Sequence, residues 1–519
     1  MKKILSAALL LSALCASLSA QTTAALRQYV RTLSQTEPLG SSVWGVLAVR
    51  MNGDTLVAYN HRQKMVPASN TKLITTGTAL HLLGADYRFH TAVAYSGAVE
   101  DSTLVGDVYI IGGGDPTLGA PSDCAIPTDK VFAQWHKVLT DAGIREVTGR
   151  IVGDPRRMEP YGENTSWNVD DLGWYYGAGV SALNFYENRQ DFYTTPGVVV
   201  GDPVQTEVIY PRTPWMRYSH TGITAPAGTG DNLTYTNSEF VPAGEIRGTL
   251  ALDKGRRKQE CTNRFPALTC AYYFSSYLAD HGMATGGFAY VAPSGEIVSD
   301  PAELWAVPAV DIESAFAMRQ TAVCQDSLTV IGNVASPSLA EIAKDCLYES
   351  DNFYAEAFLK AIGMEMCEDA CYDSSLVAER EIIEKQLCVT FDTRAQIVDG
   401  SGLSRKNYIS PEFFVRFLRA MMKSPAYDTF LHDLPQPGKG TLDGRLTKAS
   451  AGLQSRVYMK SGSMNGVRCY SGYILPASGK PEDTIVFSAM ANTFTVPTSR
   501  ISRIMDRLIT LIGGEQEQQ

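Results

Sequence analysis

Hydrophobic and polar positions change their period several times along the chain, and each change marks an element. Residues 4–18 form an almost unbroken apolar run behind Met1-Lys2-Lys3, with small residues near Ala20. A basic start and a short apolar stretch of this kind read as a secretory signal cut before Gln21, which places the mature protein in the bacterial periplasm. Residues 22–36 read as a first helix stopped by Pro38. Residues 43–49 and 55–59 are strand-like runs on either side of Asn52-Gly53-Asp54, a strong hairpin signal. The segment from Pro67 carries Leu73, Ile74, Leu80 and Leu83 at helical spacing and stops at Gly84.

From Phe89 to about Pro308 the texture is β-rich, with strand-like runs at 91–96, 105–111, 147–152 and 204–210 and many Gly and Pro turns. The most loop-like part is 222–237. Gly112-Gly113-Gly114-Asp115-Pro116 lacks the Gly-Lys-Ser/Thr of a phosphate loop and reads as a tight turn. Helical patterns return at 311–322, 338–347, 353–362, 374–386 and 411–423. Two strand-like runs follow at 470–475 and 484–491. The last element, 499–512, is an amphipathic helix whose apolar face suits either a sheet or a membrane surface.

Length and composition narrow the class. The 519 residues correspond to about three domains at roughly 150 residues each. A hydrophobic content of 45% is ample for large cores. The formal charge of -10 argues against nucleic acid as the main partner. After the leader no apolar stretch approaches the roughly 20 residues of a membrane span. Ten cysteines include Cys15 of the leader; Cys261 with Cys270, and Cys367 with Cys371, are spaced to pair in an oxidising compartment. The seven histidines form no metal-binding pattern, so zinc is not expected.

Chemistry enters at Ser69 and Lys72. Three apart on a helix, they share one face. A serine hydroxyl is a poor nucleophile at neutral pH, and a desolvated lysine beside it can take its proton. An isolated Ser-x-x-Lys is usually a helix cap with a solvated lysine, but two further motifs join it. Ser350-Asp351-Asn352 precedes a helical run, and Lys460-Ser461-Gly462-Ser463 lies in an extended run. Each is unremarkable alone. Together they stand in the order Ser-x-x-Lys, Ser-x-Asn, Lys-Ser/Thr-Gly of penicillin-recognising serine enzymes.

With these motifs the chain resembles the class C low-molecular-mass penicillin-binding proteins, D-alanyl-D-alanine carboxypeptidases/endopeptidases of the penicillin-binding protein 4 type. The resemblance extends to Gly106-Asp107-Val108-Tyr109, to Tyr176-Gly177-Ala178, to Ser350 through Glu356, and to Asp399-Gly400-Ser401-Gly402-Leu403-Ser404-Arg405. It implies an α/β multi-domain fold: a transpeptidase-like (β-lactamase-like) domain, an antiparallel sheet flanked by helices, with two β-rich domains inserted. The implied boundaries are 1–20 for the signal peptide, 21–90 with 309–519 for the catalytic domain, 91–185 with 286–308 for the first insertion and 186–285 for the nested second.

The resemblance further implies that Ser69 attacks the penultimate D-alanine carbonyl of a peptidoglycan stem peptide. Lys72 then accepts its proton, its amine kept partly neutral near pH 7 by burial and by the ammonium of Lys460. Ser350 relays a proton to the leaving amine, and Asn352 holds Lys72 and the substrate amide. Lys460 with Ser461 and Gly462 recognises the terminal carboxylate; Ser461 replaces a commoner threonine and keeps the hydroxyl. The N–H groups of Ser69 and Ser463 form an oxyanion hole. Asp171 and Arg405 match positions that contact the diaminopimelate side chain, and Tyr176 stands where an aromatic lines the site. β-Lactams are the implied inhibitors, and the implied chemistry needs no metal or organic cofactor. A β-lactamase with fast deacylation, or a catalytically silent wall-binding protein, are the competing readings.

Overall fold

The computed structural model describes residues 23–239, 241–305 and 328–515. The signal peptide and the helix expected at 311–322 lie outside the described residues. The chain divides into two compact units. The first takes residues up to Ala85, Ala343–Leu359 and Leu376 onward; the second takes Asp86–Ile342 and Lys360–Ser375.

The first unit is built on a five-stranded antiparallel sheet in the order Val457–Met464, Val467–Ile474, Ile485–Asn492, Val43–Arg50, Thr55–Tyr59. Alternation along the strands sends Trp44, Val46 and Ala48 to one face. There they pack with Leu26, Val30 and Leu33 of the first helix (23–35) and with Ile501, Met505, Leu508 and Ile512 of the last, Thr498–Ile512. The amphipathic last helix therefore covers a sheet. Helix Pro411–Met421 packs on the strands Val43–Arg50 and Ile485–Asn492, with its N-cap Ser410 accepting from Phe413 N. Gly77 of helix Thr71–Leu83 lies against the Phe417 ring, where a Cβ would come within 3.0 Å of it. No helix among the described residues is long and apolar enough to cross a membrane.

The second unit carries a six-stranded sheet ordered Ile297–Val298, Phe288–Val291, Ile151–Asp154, Val108–Ile111, His90–Tyr95, Thr329–Ala335. Three smaller sheets accompany it. Two helices that the sequence reading missed, Thr128–Asp141 and Pro266–Asp280, bury Phe132, Trp135, Leu139, Phe274 and Leu278 in its main core. The segment expected to be loop-like holds the strands Ile223–Ala225 and Asp231–Ser238. Gly112–Pro116 is irregular, and Asp115 Oδ1 accepts from both N and Oγ1 of Thr117, a turn-type arrangement. The cysteine pairings do not form. Cys261 sits in a strand and Cys270 in a helix, buried in separate apolar clusters, and Cys367 and Cys371 are likewise unbonded.

Candidate active site

The hairpin Val43–Tyr59 delivers the chain to an extended segment clamped at Val66. Asn492, at the end of its strand, accepts from Val66 N at 2.8 Å and donates to Val66 O at 3.1 Å. The chain then turns through a short 3₁₀ segment, Ala68–Asn70, directly into helix Thr71–Leu83. Ser69 therefore stands at a helix start, where the peptide dipoles favour negative charge. Ala68 holds left-handed backbone (φ 47°), a conformation that costs a non-glycine residue about 1–2 kcal/mol. Asn70 is fully buried and donates to Ser471 Oγ at 2.7 Å, tying the turn to the sheet.

Lys72 is fully buried, and its ammonium makes three hydrogen bonds: to Ser69 Oγ (3.1 Å), to Asn352 Oδ1 (2.6 Å) and to the Ser401 carbonyl (2.9 Å). Ser350 takes left-handed backbone (φ 64°) just before helix Asn352–Cys367. Asp351 accepts from Tyr354 N, so the Ser-Asp-Asn segment caps the helix and also presents Asn352 to Lys72. Lys460, again fully buried, donates to Ser350 Oγ at 2.8 Å and to its neighbour's carbonyl, Ser461 O, at 2.9 Å. Its strand is the edge of the sheet, paired only on one side in the register Lys460 opposite Ser471. Gly462 lets that strand lie against the turn that carries Ser69: a Cβ there would sit 2.7 Å from Pro67 O and 3.1 Å from Asn70 N. Ser461 is nearly buried and Ser463 is exposed.

Ser69, Lys72, Ser350, Asn352, Lys460 and Ser461 are thus gathered at one edge of the sheet. Arg405 belongs to the same unit, is exposed, and donates to Asn465 O at 3.1 Å. Asp171 and Tyr176 belong to the second unit, where burial first and then Asp171 raise the Tyr176 hydroxyl. Asn168 donates to Asp171 Oδ2 at 3.2 Å.

Electrostatics set the protonation states. Burial holds Lys72 below the ordinary lysine value, opposed by Cys346, Asp351, Glu356 and Asp399. Lys460 lies well below it, first through burial and then through repulsion from Lys72. Sequence reasoning shared the lowering of Lys72 between burial and Lys460; in the structure burial is what lowers Lys72, and the repulsion between the two amines lowers Lys460 instead. A group of buried carboxyls was given no role by that reasoning. Glu356 is raised to about 7 by burial and by Asp399, and Glu379 to about 8 by burial. Asp399 accepts from Gly402 N, Ser404 N and Asn407 Nδ2, which shapes the loop that offers its Ser401 carbonyl to Lys72. The arrangement is chemically that of a serine activated by a buried amine, beside a second cation and hydroxyl.

The D-Ala-D-Ala carboxypeptidase 3 (S13) family matches the chain over residues 26–294 and 288–511. A D-alanyl-D-alanine carboxypeptidase of Actinomadura sp. (strain R39) is 27% identical over 486 residues, covering 91% of this chain and 82% of that protein. Penicillin-sensitive carboxypeptidase A of Dictyostelium discoideum is 26% identical over 513 residues, 90% of this chain and 87% of its own. The crystal structure of penicillin-binding protein 4 from Haemophilus influenzae superimposes with a TM-score of 0.74 at 21% identity, over 93% of this chain and 97% of that one, and so has the same fold. Since the family match runs through both units and takes in all three motifs, the protein is a peptidase belonging to the D-Ala-D-Ala carboxypeptidase 3 (S13) family.

Proposed function

We propose that this peptidase is a periplasmic serine D-Ala-D-Ala carboxypeptidase/endopeptidase that trims and un-cross-links peptidoglycan stem peptides through an acyl-enzyme on Ser69. The observation that carries the reading is the Lys72 amine, 3.1 Å from Ser69 Oγ and held there by Asn352 and the Ser401 carbonyl. In its neutral form Lys72 takes the Ser69 proton as Oγ bonds to the penultimate D-alanine carbonyl carbon. The N–H groups of Ser69 and Ser463 receive the oxyanion. Collapse breaks the C–N bond, and the departing amine takes its proton through Ser350, which Lys460 orients at 2.8 Å. Water then cleaves the ester and restores Ser69.

Lys460, Ser461 and Gly462 are assigned the terminal carboxylate. For Arg405 and Asp171 the proposal is the one the resemblance implies, contact with the diaminopimelate side chain, and for Tyr176 it is an aromatic lining of the site. β-Lactams are proposed to acylate Ser69, in line with the penicillin sensitivity in the name of the Dictyostelium relative. The inserted regions 91–185 with 286–308, and 186–285, are proposed as accessory domains of the second unit.

Purified protein, incubated with monomeric pentapeptide muropeptides and with cross-linked dimers, is expected to remove one alanine from the first and to split the second. Mass spectrometry of the products checks both. No product from either substrate would overturn the proposal and favour a silent wall-binding protein.

A further inference from the structure

Helix Asn352–Cys367 presents two side chains four residues apart on one face, Asn352 and Glu356. Asn352 meets Lys72 directly. Glu356, with no exposed surface, accepts from Ser401 N at 2.8 Å through Oε1 and from Gly400 N at 3.0 Å through Oε2. The two carbonyls of the same stretch point at the nucleophile helix. Ser401 O accepts from Lys72 Nζ at 2.9 Å and Gly400 O from Thr75 Oγ1 at 2.9 Å. The loop leaves no room for adjustment on its other side, since a Cβ on Gly400 would sit 2.7 Å from Ala355 O.

We infer that Glu356 is a positioning residue for the reaction: by gripping the Gly400 and Ser401 amides it aims the Ser401 carbonyl at Lys72 and so holds the amine on Ser69. The inference rests on the reading of Lys72 as the base. A purely apolar residue at 356 would leave two buried N–H groups unsatisfied. Glutamine keeps the shape but sets an NH₂ against one of them. Charge matters as well as shape. The groups acting on Lys72 are Cys346, Asp351, Glu356 and Asp399, and Glu356 in turn faces Asp399 and Glu379. Each carboxylate, where ionised, favours the protonated amine; for Glu356 that is above about 7, and in that range losing Glu356 moves the deprotonation of Lys72 to lower pH.

The test is the second-order rate of acylation by a fluorescent penicillin as a function of pH, normalised to folded protein by thermal melts. E356Q is expected to lower the plateau by about tenfold, the effect of one unsatisfied buried donor, and to move the acidic limb to lower pH. A residue with only a structural role lowers the melting temperature and leaves the limb where it is. E356Q with the wild-type plateau and limb overturns the inference. Should E356Q fail to fold, E356D decides: it keeps the charge but is one methylene too short to grip both amides, so its plateau falls with the limb little moved, and a wild-type plateau overturns the inference. K72M separates the two claims. If K72M is inert while E356Q behaves as wild type, only the Glu356 inference fails; if K72M reacts normally, the base assignment itself fails.

Discussion

Lys72→Met is expected to slow acylation of Ser69 by about 10³–10⁴-fold, the range for loss of a general base that acts as one unit with its nucleophile. Among the described residues, the Lys72 amine is the hydrogen-bonding group that stands against Ser69 Oγ, at 3.1 Å. Burial keeps it below the ordinary lysine value, so the neutral, proton-accepting form is reached at lower pH than for a solvated lysine. Methionine is nearly isosteric. It leaves Asn352 Oδ1 and Ser401 O without their donor, which costs about 1–3 kcal/mol for each buried acceptor, within the roughly 5–15 kcal/mol by which native domains are stable. The expected result is therefore a folded, unreactive protein. Labelling kinetics with a thermal melt on the same sample check it, and a labelling rate within tenfold of wild type would refute the role.

Gly402→Ala is expected to cost about 3 kcal/mol of stability and to abolish activity. Gly402 has φ +82°, a left-handed conformation worth about 1–2 kcal/mol against any L side chain. Its missing Cβ would also lie 2.0 Å from Ala68 O and 2.6 Å from Thr71 Oγ1. Such a clash forces backbone movement, typically another 1–3 kcal/mol. The atoms in the way belong to the turn that carries Ser69, where Thr71 Oγ1 donates to Ala68 O at 3.0 Å. The substitution therefore displaces the nucleophile as well as loosening the unit. Urea denaturation followed by penicillin labelling tests both halves, and wild-type stability with full labelling would show the contact to be soft.

Much of the first unit was legible in the sequence because its signals are local. Asn52-Gly53-Asp54 marks the hairpin, Gly84 ends the nucleophile helix with φ 85°, and Ile501, Met505, Leu508 and Ile512 mark the last helix. The second unit was harder. Strand Asp231–Ser238 alternates properly, with Leu233, Tyr235 and Asn237 buried, but its third inward position is an asparagine held by Thr262 and Arg264. Polar residues on both faces hide the period of two. Helix Thr128–Asp141 was overlooked because its apolar stripe, Val131, Phe132, Trp135 and Leu139, is sparse and sits between β-rich runs.

At the site, motif order was enough to bring Ser69, Lys72, Ser350, Asn352 and Lys460 into view. What it left out were groups whose contribution is made through the backbone. The Ser401 carbonyl has no side-chain signature, and the grip of Glu356 on the Gly400 and Ser401 amides is visible only once the loop is folded. Asn492 is similar: nothing in a strand-end asparagine announces that it clamps Val66, some 426 residues earlier in the chain.

The central claim is that Ser69 is the nucleophile of an acyl-enzyme. Intact-mass measurement after brief exposure to benzylpenicillin tests it most directly, on the wild type and on Ser69→Ala side by side. The account predicts one persistent penicillin adduct per wild-type chain, mapping to the peptide that contains Ser69, and none on Ser69→Ala. An adduct on Ser69→Ala, or a wild type that hydrolyses penicillin rapidly without retaining it, would contradict the account.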